Sequence, residues 1–138
     1  MTDLNKFLMA QAQAYATALS ELKNGQKTTH WIWYIFPQLA DLGHSKTAKF
    51  FGLKDKAEAK DYLCHPVLGH RYFECCDALV SHADKSAEII MGSEVDAQKL
   101  QSSLTLMQMA RDDGIVGRCL MTFYAGNPCV STKQLLET

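Results

Sequence analysis

The sequence lacks three features that would place it in a specialised class: a long apolar run, an excess of one charge and a signal-peptide pattern. The apolar run within residues 30–38 is far shorter than the ~20 residues that a membrane-spanning helix needs. Basic and acidic residues number 14 and 15, for a net charge of −1, so no positive surplus favours a nucleic acid or an anionic membrane surface. Residues 1–5 have neither the basic region nor the apolar core of a signal peptide. We therefore expect a cytoplasmic protein that binds neither nucleic acid nor membrane.

Paired cysteines are also absent. The chain has five cysteines, an odd number, and no Cys-x-x-Cys pair, which indicates reduced thiols in a reducing compartment. The cysteines and histidines do not follow the spacing of a zinc finger or a zinc protease. The adjacent Cys75 and Cys76 would point about 100° apart on a helix and so cannot easily share an ion. We predict no metal site and no cofactor.

The residues that are present form the pattern of one helical domain. Hydrophobic residues make up 47% of the chain and charged residues 21%, and no linker or repeat interrupts residues 1–138. Apolar residues recur at helical spacing, whereas no segment alternates with the period of two that a half-buried strand shows. We predict an all-α fold, a compact single domain of about seven helices packed around residues 30–38. The clearest helical stretches are 3–23, 55–64, 66–82, 94–111 and 115–124, with shorter ones at 45–51, 86–91 and 131–137.

Polar residues at the starts of these stretches predict where the helices begin. Ser45, Asp55 and Ser93 each precede a helical pattern and can accept a hydrogen bond from the first free backbone N–H groups. Thr2 is the corresponding candidate for the first helix. Side-chain caps of this kind are local features, so we expect them to mark helix starts whatever the tertiary packing.

The segment His-Trp-Ile-Trp-Tyr-Ile-Phe-Pro-Gln at 30–38 holds both tryptophans and has no solvent face. A segment that is apolar on every side is expected to be wrapped by other elements. Its periodicity fits a strand or a helix. We predict a helix that Pro37 ends or kinks, because a lone strand would leave its backbone groups without partners.

Four motifs resemble a known family. They are HWIWYIFPQ at 30–38, LGHS at 42–45, YLCHPVLG at 62–69 and KLQSSLTL at 99–106. Together they resemble a small bacterial domain of unknown function that is often labelled "calpastatin-like". The resemblance covers nearly the whole chain and implies a compact multihelical domain, but no established activity and no catalytic residues. The chain departs from the family pattern at Cys129, where the family usually has an acidic residue, and at Gln108, near which it tends to have an aromatic one.

The label itself conflicts with the composition. An inhibitor that wraps its target as a disordered chain is poor in hydrophobic residues and rich in proline and net charge. This chain has 3 prolines and 47% hydrophobic residues. We therefore reject protease inhibition of that kind.

Five residues are predicted to bind a ligand: His30, Trp33, Gln38, His65 and Arg71. The indole offers a stacking face and an N–H donor, and the histidines, glutamine and arginine offer polar contacts and positive charge. This set favours a small planar, nucleotide-like metabolite, with or without a phosphate group, in a pocket near the HWIWYIFPQ segment, with or without catalysis. The alternative is a non-catalytic protein–protein interaction module in which the aromatic segment is purely core. The segment after His65 also fits a simple helix junction capped by that histidine.

Lys99 and Ser103 lie four residues apart on one predicted helix and superficially resemble a Ser/Lys nucleophile pair. A nucleophilic serine normally lies at a sharp turn or a helix start with oxyanion donors nearby, and these serines lie in mid-helix. We therefore interpret Ser102 and Ser103 as small residues that allow close helix packing.

All five cysteines are expected to be free thiols in the cell, because their number is odd and Cys75 and Cys76 are adjacent. Thiol titration of freshly purified, denatured protein is expected to detect all five. Two or more missing thiols would contradict this prediction.

Overall fold

A computed structural model describes residues 3–137, and these residues form an all-α domain. The described residues form nine α-helices rather than about seven, and two of these, in the aromatic segment and before Gly92, have only about one turn. The helices are Asn5–Lys23 (α1), Ile32–Ile35 (α2), Lys46–Phe51 (α3), Lys56–Cys64 (α4), Leu68–Val80 (α5), Ala87–Met91 (α6), Glu94–Ala110 (α7), Gly114–Tyr124 (α8) and Val130–Glu137 (α9). Helix α7 is central and packs against α4, α8, α6, α9 and α2, while α5 packs against α8, α1 and α4.

Side-chain caps begin several helices, as the sequence predicts. The Ser45 Oγ accepts a hydrogen bond from the Ala48 N–H at 3.0 Å, and an oxygen of Asp55 accepts one from the Glu58 N–H at 2.9 Å. Ser93 caps α7 in the same way. The predicted cap at Thr2 lies outside the described residues. Caps of this kind satisfy backbone donors that the first helical turn leaves free.

The aromatic segment is helical for one turn only. Helix α2 ends at Ile35, and the chain then runs in an extended conformation through Leu39. There it forms an isolated parallel bridge, in which the Leu53 N–H donates to the Gln38 carbonyl and the Ala40 N–H donates to the Leu53 carbonyl, both at 2.8 Å. The helix prediction is therefore right for the first half of the segment. Its second half finds backbone partners in a distant part of the chain, which periodicity does not reveal.

The buried side of this segment forms the centre of the core. Trp31, Ile32, Ile35 and Phe36 are each 2% exposed or less. Phe36 packs edge-on against the ring of Tyr72, with ring centroids 5.5 Å apart. Edge-to-face contacts of this kind add to the stabilisation that burial alone provides. The residues that precede and follow this centre, His30 and Gln38, are less buried and are accessible for other roles.

The Glu21 carboxylate, at the end of α1, holds the start of the aromatic segment. It accepts hydrogen bonds from the Thr28 N–H at 2.7 Å, the Thr29 N–H at 3.0 Å, the Thr29 hydroxyl at 2.6 Å and the Trp31 Nε1–H at 3.0 Å. Burial would raise the pKa of this carboxyl, but the hydrogen bonds outweigh that effect and lower the pKa from 4.5 to about 2. The indole N–H of a buried tryptophan is thereby satisfied.

All five cysteines carry free thiols, and Cys75, Cys76 and Cys119 are buried.

None of the helices within residues 3–137 has the length and apolar character that crossing a membrane requires.

Replacing Trp31 with alanine is expected to lower the free energy of unfolding by about 3–5 kcal/mol, because the side chain is buried and its loss leaves a cavity. Trp31→Phe keeps an aromatic ring in the core and loses part of the indole together with the N–H that donates to Glu21, so it is expected to cost less than Trp31→Ala. Urea denaturation measures both values. A Trp31→Ala protein that melts within a few degrees of wild type would show that the tryptophan contributes little to the core.

Acid is expected to destabilise the protein through Glu21. Because the folded pKa is below the unfolded one, the stabilisation is fully present above pH 4.5 and is lost as the pH falls toward 2. In that window a single proton changes the free energy of unfolding by at most ~1.4 kcal/mol per pH unit. Glu21→Gln should make the dependence of stability on pH shallower between pH 4.5 and 2, in urea denaturation at a series of pH values. Glu88→Gln, at an exposed site, is the matched control and should leave the slope unchanged.

Candidate functional site

A cavity of about 480 Å³ lies between α7, the segment that follows the aromatic run and the start of α9. Gln38 and His44 line one side of the cavity, and several polar side chains of α7 line another. The N-terminal end of α9 closes the third side with Cys129. The volume of the cavity falls within the range of about 300–1,000 Å³ that is typical of small-molecule sites. The polar side chains that line it include Gln38, His44, Gln98, Lys99, Ser102 and Cys129.

Lys99 carries the positive charge of α7 in this cavity. Its Nζ lies 5.7 Å from the centroid of the Trp33 ring, within the range of a cation–π contact. Within residues 3–137 the ammonium has no carboxylate partner. An ammonium that is held over an aromatic ring and lacks an acidic partner remains available to attract an anion.

Trp33 does not line this cavity; it lines a smaller pocket beside it. That pocket has room for about 10 Å³ of solvent, enough for about one water molecule, and Gln38 and Lys99 line both spaces. The Trp33 Nε1 atom is buried, and no acceptor among the described residues reaches it. A buried N–H without a partner costs about 1–3 kcal/mol, and the small pocket admits only an acceptor of about the size of one water molecule.

Cys129 caps α9 and contacts α7. Its carbonyl accepts the first helical hydrogen bond, from the Lys133 N–H at 3.0 Å, and its own N–H donates to Thr105 Oγ1 at 2.9 Å. The Ser102 Oγ lies 3.3 Å from the Cys129 sulfur and 3.0 Å from the Gln98 carbonyl oxygen, and its hydroxyl can donate to either. Burial would raise the pKa of this thiol, but the Ser102 hydroxyl, the nearby Thr132 hydroxyl and backbone N–H groups at the helix start lower it overall.

Trp33 and Gln38 line the smaller pocket together, and Gln38 also lines the cavity. The three other predicted ligand residues line neither space. His30 is exposed, and its carbonyl accepts a hydrogen bond from the Tyr34 hydroxyl at 3.3 Å. The Nδ1 atom of His65 accepts the backbone N–H groups of Val67 and Leu68 at 3.1 and 3.3 Å. His65 thus caps the junction before α5, the structural alternative raised by the sequence.

Arg71 is held on the other side of the core. Its guanidinium lies 4.8 Å from the centroid of the Tyr15 ring, and its Nη1 donates to Gln11 Oε1 at 3.3 Å. Gln11 in turn donates to the Tyr62 hydroxyl at 2.9 Å. Arg71 therefore belongs to a hydrogen-bond network between α1, α4 and α5.

Lys99, Ser102 and Cys129 line the cavity but were not predicted as site residues. The interpretation of Ser103 as a packing residue agrees with its full burial and with its hydrogen bond to the Tyr72 hydroxyl at 2.9 Å. Lys99 and Ser102 lie three residues apart and share a helix face, and Cys129 directly precedes a helix. The spacing of Lys99 and Ser102 and the position of Cys129 can both be read from the sequence. Neither indicates that α7 and the start of α9 lie next to each other in the fold.

Histidine, cysteine and acidic side chains do not gather in groups of three that could hold a metal ion anywhere within residues 3–137. The functional groups that line the cavity are one lysine, one histidine, one thiol and several amides and hydroxyls. These groups bind anions and polar heterocycles, and the thiol can act as a nucleophile once it is ionised.

Comparisons with known proteins agree with this fold and leave the activity open. No curated protein matches the chain. The crystal structure of the conserved hypothetical protein Rv1873 from Mycobacterium tuberculosis is similar to it, with 38% sequence identity and a TM-score of 0.95 over 99% of this chain and 97% of that one. A family model described as "Protein of unknown function (DUF1810)" matches residues 1–136. The chain therefore belongs to this family of small all-helical domains of unknown function.

Proposed function

We propose that the protein binds a small planar metabolite that carries a phosphate group, in the cavity between Gln38, Lys99 and Cys129. One observation carries this proposal: the Lys99 ammonium, which has no carboxylate partner within residues 3–137, lines a concave cavity of about 480 Å³ together with the Gln38 amide. Each of these groups is more stable when a ligand pairs with it.

Lys99 is the contact for the phosphate. Its positive charge lies in a concave site, where it is screened less by salt than a charge on an open surface. Gln98 and Ser131 line the same cavity and offer an amide and a hydroxyl to further phosphate oxygens. This combination favours a phosphate group over a neutral polar group of the same size.

Gln38 is the contact for the planar ring. Its amide lines the cavity and supplies both a donor and an acceptor. The edge of a nucleobase or a nicotinamide carries both kinds of group and can pair with this amide, whereas an aliphatic ligand cannot.

We extend the proposal to location and partners. The free state of all five thiols supports a reducing compartment such as the cytoplasm. The near-neutral net charge of −1 supports a small-molecule ligand rather than a nucleic acid or a membrane. A protein-interaction module is the alternative function, and it predicts no stabilisation by small molecules.

Thermal unfolding in the presence of adenosine monophosphate, nicotinamide mononucleotide and inorganic pyrophosphate tests the proposal. At least one mononucleotide is expected to raise the melting temperature, since a ligand at 100 times its Kd adds about 2.7 kcal/mol of stability. Pyrophosphate is expected to have a smaller effect, because it pairs with Lys99 and leaves the Gln38 amide unpaired.

Two variants test whether the rise in melting temperature comes from binding in this cavity. Lys99→Met removes the charge and is expected to abolish the shift, while Lys60→Met, at an exposed position on α4, should retain it. If millimolar mononucleotide leaves the melting temperature unchanged, or if Lys99→Met keeps the full shift, the cavity does not bind this class of ligand and the interaction module becomes the better explanation.

A further inference from the structure

We propose that Cys129 is a modification site: a thiol in the cavity wall that exchanges with small disulfides bearing carboxylates. This reactivity goes beyond the proposed ligand binding and does not require it. The proposal rests on the position of the sulfur at a helix start, on a buried hydroxyl directed toward it, and on the positive charge in the same cavity.

The first step is access. Cys129 is half-buried and lines a cavity of about 480 Å³, so a small disulfide can reach its sulfur. Cys64 is exposed, whereas Cys75, Cys76 and Cys119 are buried, so few thiols compete for a reagent in the folded protein. Exchange requires access of this kind, because the thiolate attacks along the line of the disulfide bond.

The second step is stabilisation of the thiolate. Cys129 precedes α9, an eight-residue helix whose first N–H groups point toward the residue that caps it. The backbone N–H groups of Ser131 and Thr132 and the hydroxyl of Ser102 act on the sulfur and favour its ionised form. The free N–H groups at a helix start stabilise a thiolate as they stabilise a carboxylate, because both are anions.

Thr132 supplies an independent observation. Its side chain is fully buried, yet its Oγ1 makes no complete hydrogen bond to any residue within 3–137. The same hydroxyl faces the Cys129 sulfur closely enough to favour ionisation of the thiol. A buried donor that lacks a strong acceptor destabilises the fold, and a thiolate is a much better acceptor than a thiol. The ionised form of Cys129 therefore resolves an otherwise unsatisfied group.

Lys99 explains the selectivity for carboxylates. It lines the cavity together with Cys129, and His44 is the other basic side chain in the lining. Lys99 has no carboxylate partner within residues 3–137, so it attracts a negatively charged disulfide and repels a positively charged one. Glutathione disulfide has the required chemistry, since each of its halves carries carboxylates.

The reaction is a simple exchange. The Cys129 thiolate attacks one sulfur of the small disulfide, a new S–S bond forms to Sγ, and the original S–S bond breaks. The departing half leaves with the electron pair and takes a proton from solvent, so Cys129 is oxidised and the released thiol is reduced. A small thiol reverses the step by attacking the mixed disulfide.

The experiment measures adduct formation on the folded protein by intact mass spectrometry. A Cys64→Ser background removes the exposed thiol, and Cys129→Ser in that background is the blank. Oxidised glutathione, bis(hydroxyethyl) disulfide and cystamine serve as the anionic, neutral and cationic probes. The expected order of rates is oxidised glutathione first and cystamine last, relative to the rates of the same probes with a free model thiol.

Three variants separate the effect of the two hydroxyls on the thiolate from the effect of the Lys99 charge on the choice of disulfide. Ser102→Ala and Thr132→Val remove one hydroxyl each and are expected to slow all three probes. A rise of one pKa unit reduces the thiolate fraction about tenfold but raises its nucleophilicity about threefold, which leaves a net loss of about threefold. Lys99→Met is expected to lower the ratio of the anionic to the cationic rate by at least about threefold, and high salt should do the same. The ratio cancels any effect of Lys99 on the thiol itself.

Alkylation with iodoacetamide gives a second measurement. The pH midpoint for Cys129 is expected to lie below that of free glutathione measured alongside, and to rise in Ser102→Ala. The proposal is overturned if the midpoint equals or exceeds that of free glutathione, or if the folded protein forms no adduct with oxidised glutathione while the denatured protein does. It is also overturned if neither hydroxyl variant changes any rate. A failure of nucleotide binding leaves these outcomes unaffected, so the two proposals fail separately.

Discussion

The Glu21 carboxylate organises the start of the core. It collects four hydrogen bonds from the loop that follows α1 and from the indole of Trp31, and it thereby holds the aromatic segment at one end. An ionised carboxylate is costly to bury unless donors surround it, and here the donors belong to the segment that must be positioned. Without this anchor, the buried indole N–H and the loop amides would all lose their acceptor at once. The anchor also fixes the direction in which α2 leaves α1.

The same loop connects the aromatic segment to α7. The Lys27 ammonium lies 2.7 Å from Asp96 in the first turn of α7 and 5.2 Å from the centroid of the Trp31 ring, while the Lys27 N–H donates to the Ile90 carbonyl at 2.7 Å. This pair is largely buried, and such pairs contribute more to unique geometry than to net stability. Lys99 lies one turn further along the helix that this contact positions. The orientation of the cavity wall therefore depends on contacts made near the N-terminal end of α7.

Local patterns predicted the fold well and the site only in part. The caps at Ser45, Asp55 and Ser93 depend on neighbouring backbone groups, so spacing alone reveals them. Burial of Trp31 follows from its all-apolar surroundings. The cavity instead joins Gln38, Lys99 and Cys129, which are far apart in the chain, and helical periodicity does not specify how distant helices meet. His65 and Arg71 contact backbone amides and Gln11, and the sequence pattern does not specify these partners.

The parallel bridge between Leu39 and Leu53 closes the chain between them into a loop with tied ends. Gly52 allows this closure, because a Cβ there would lie 2.3 Å from the Ala40 Cα. The loop contains α3 and carries Leu42 and His44, which line the cavity, while its tied ends face the core. Substitutions at exposed positions of the loop, such as His44, can therefore reshape one wall of the cavity while the core stays as it is. The sequence of this segment can thus vary more freely over evolutionary time than that of the helices beneath it.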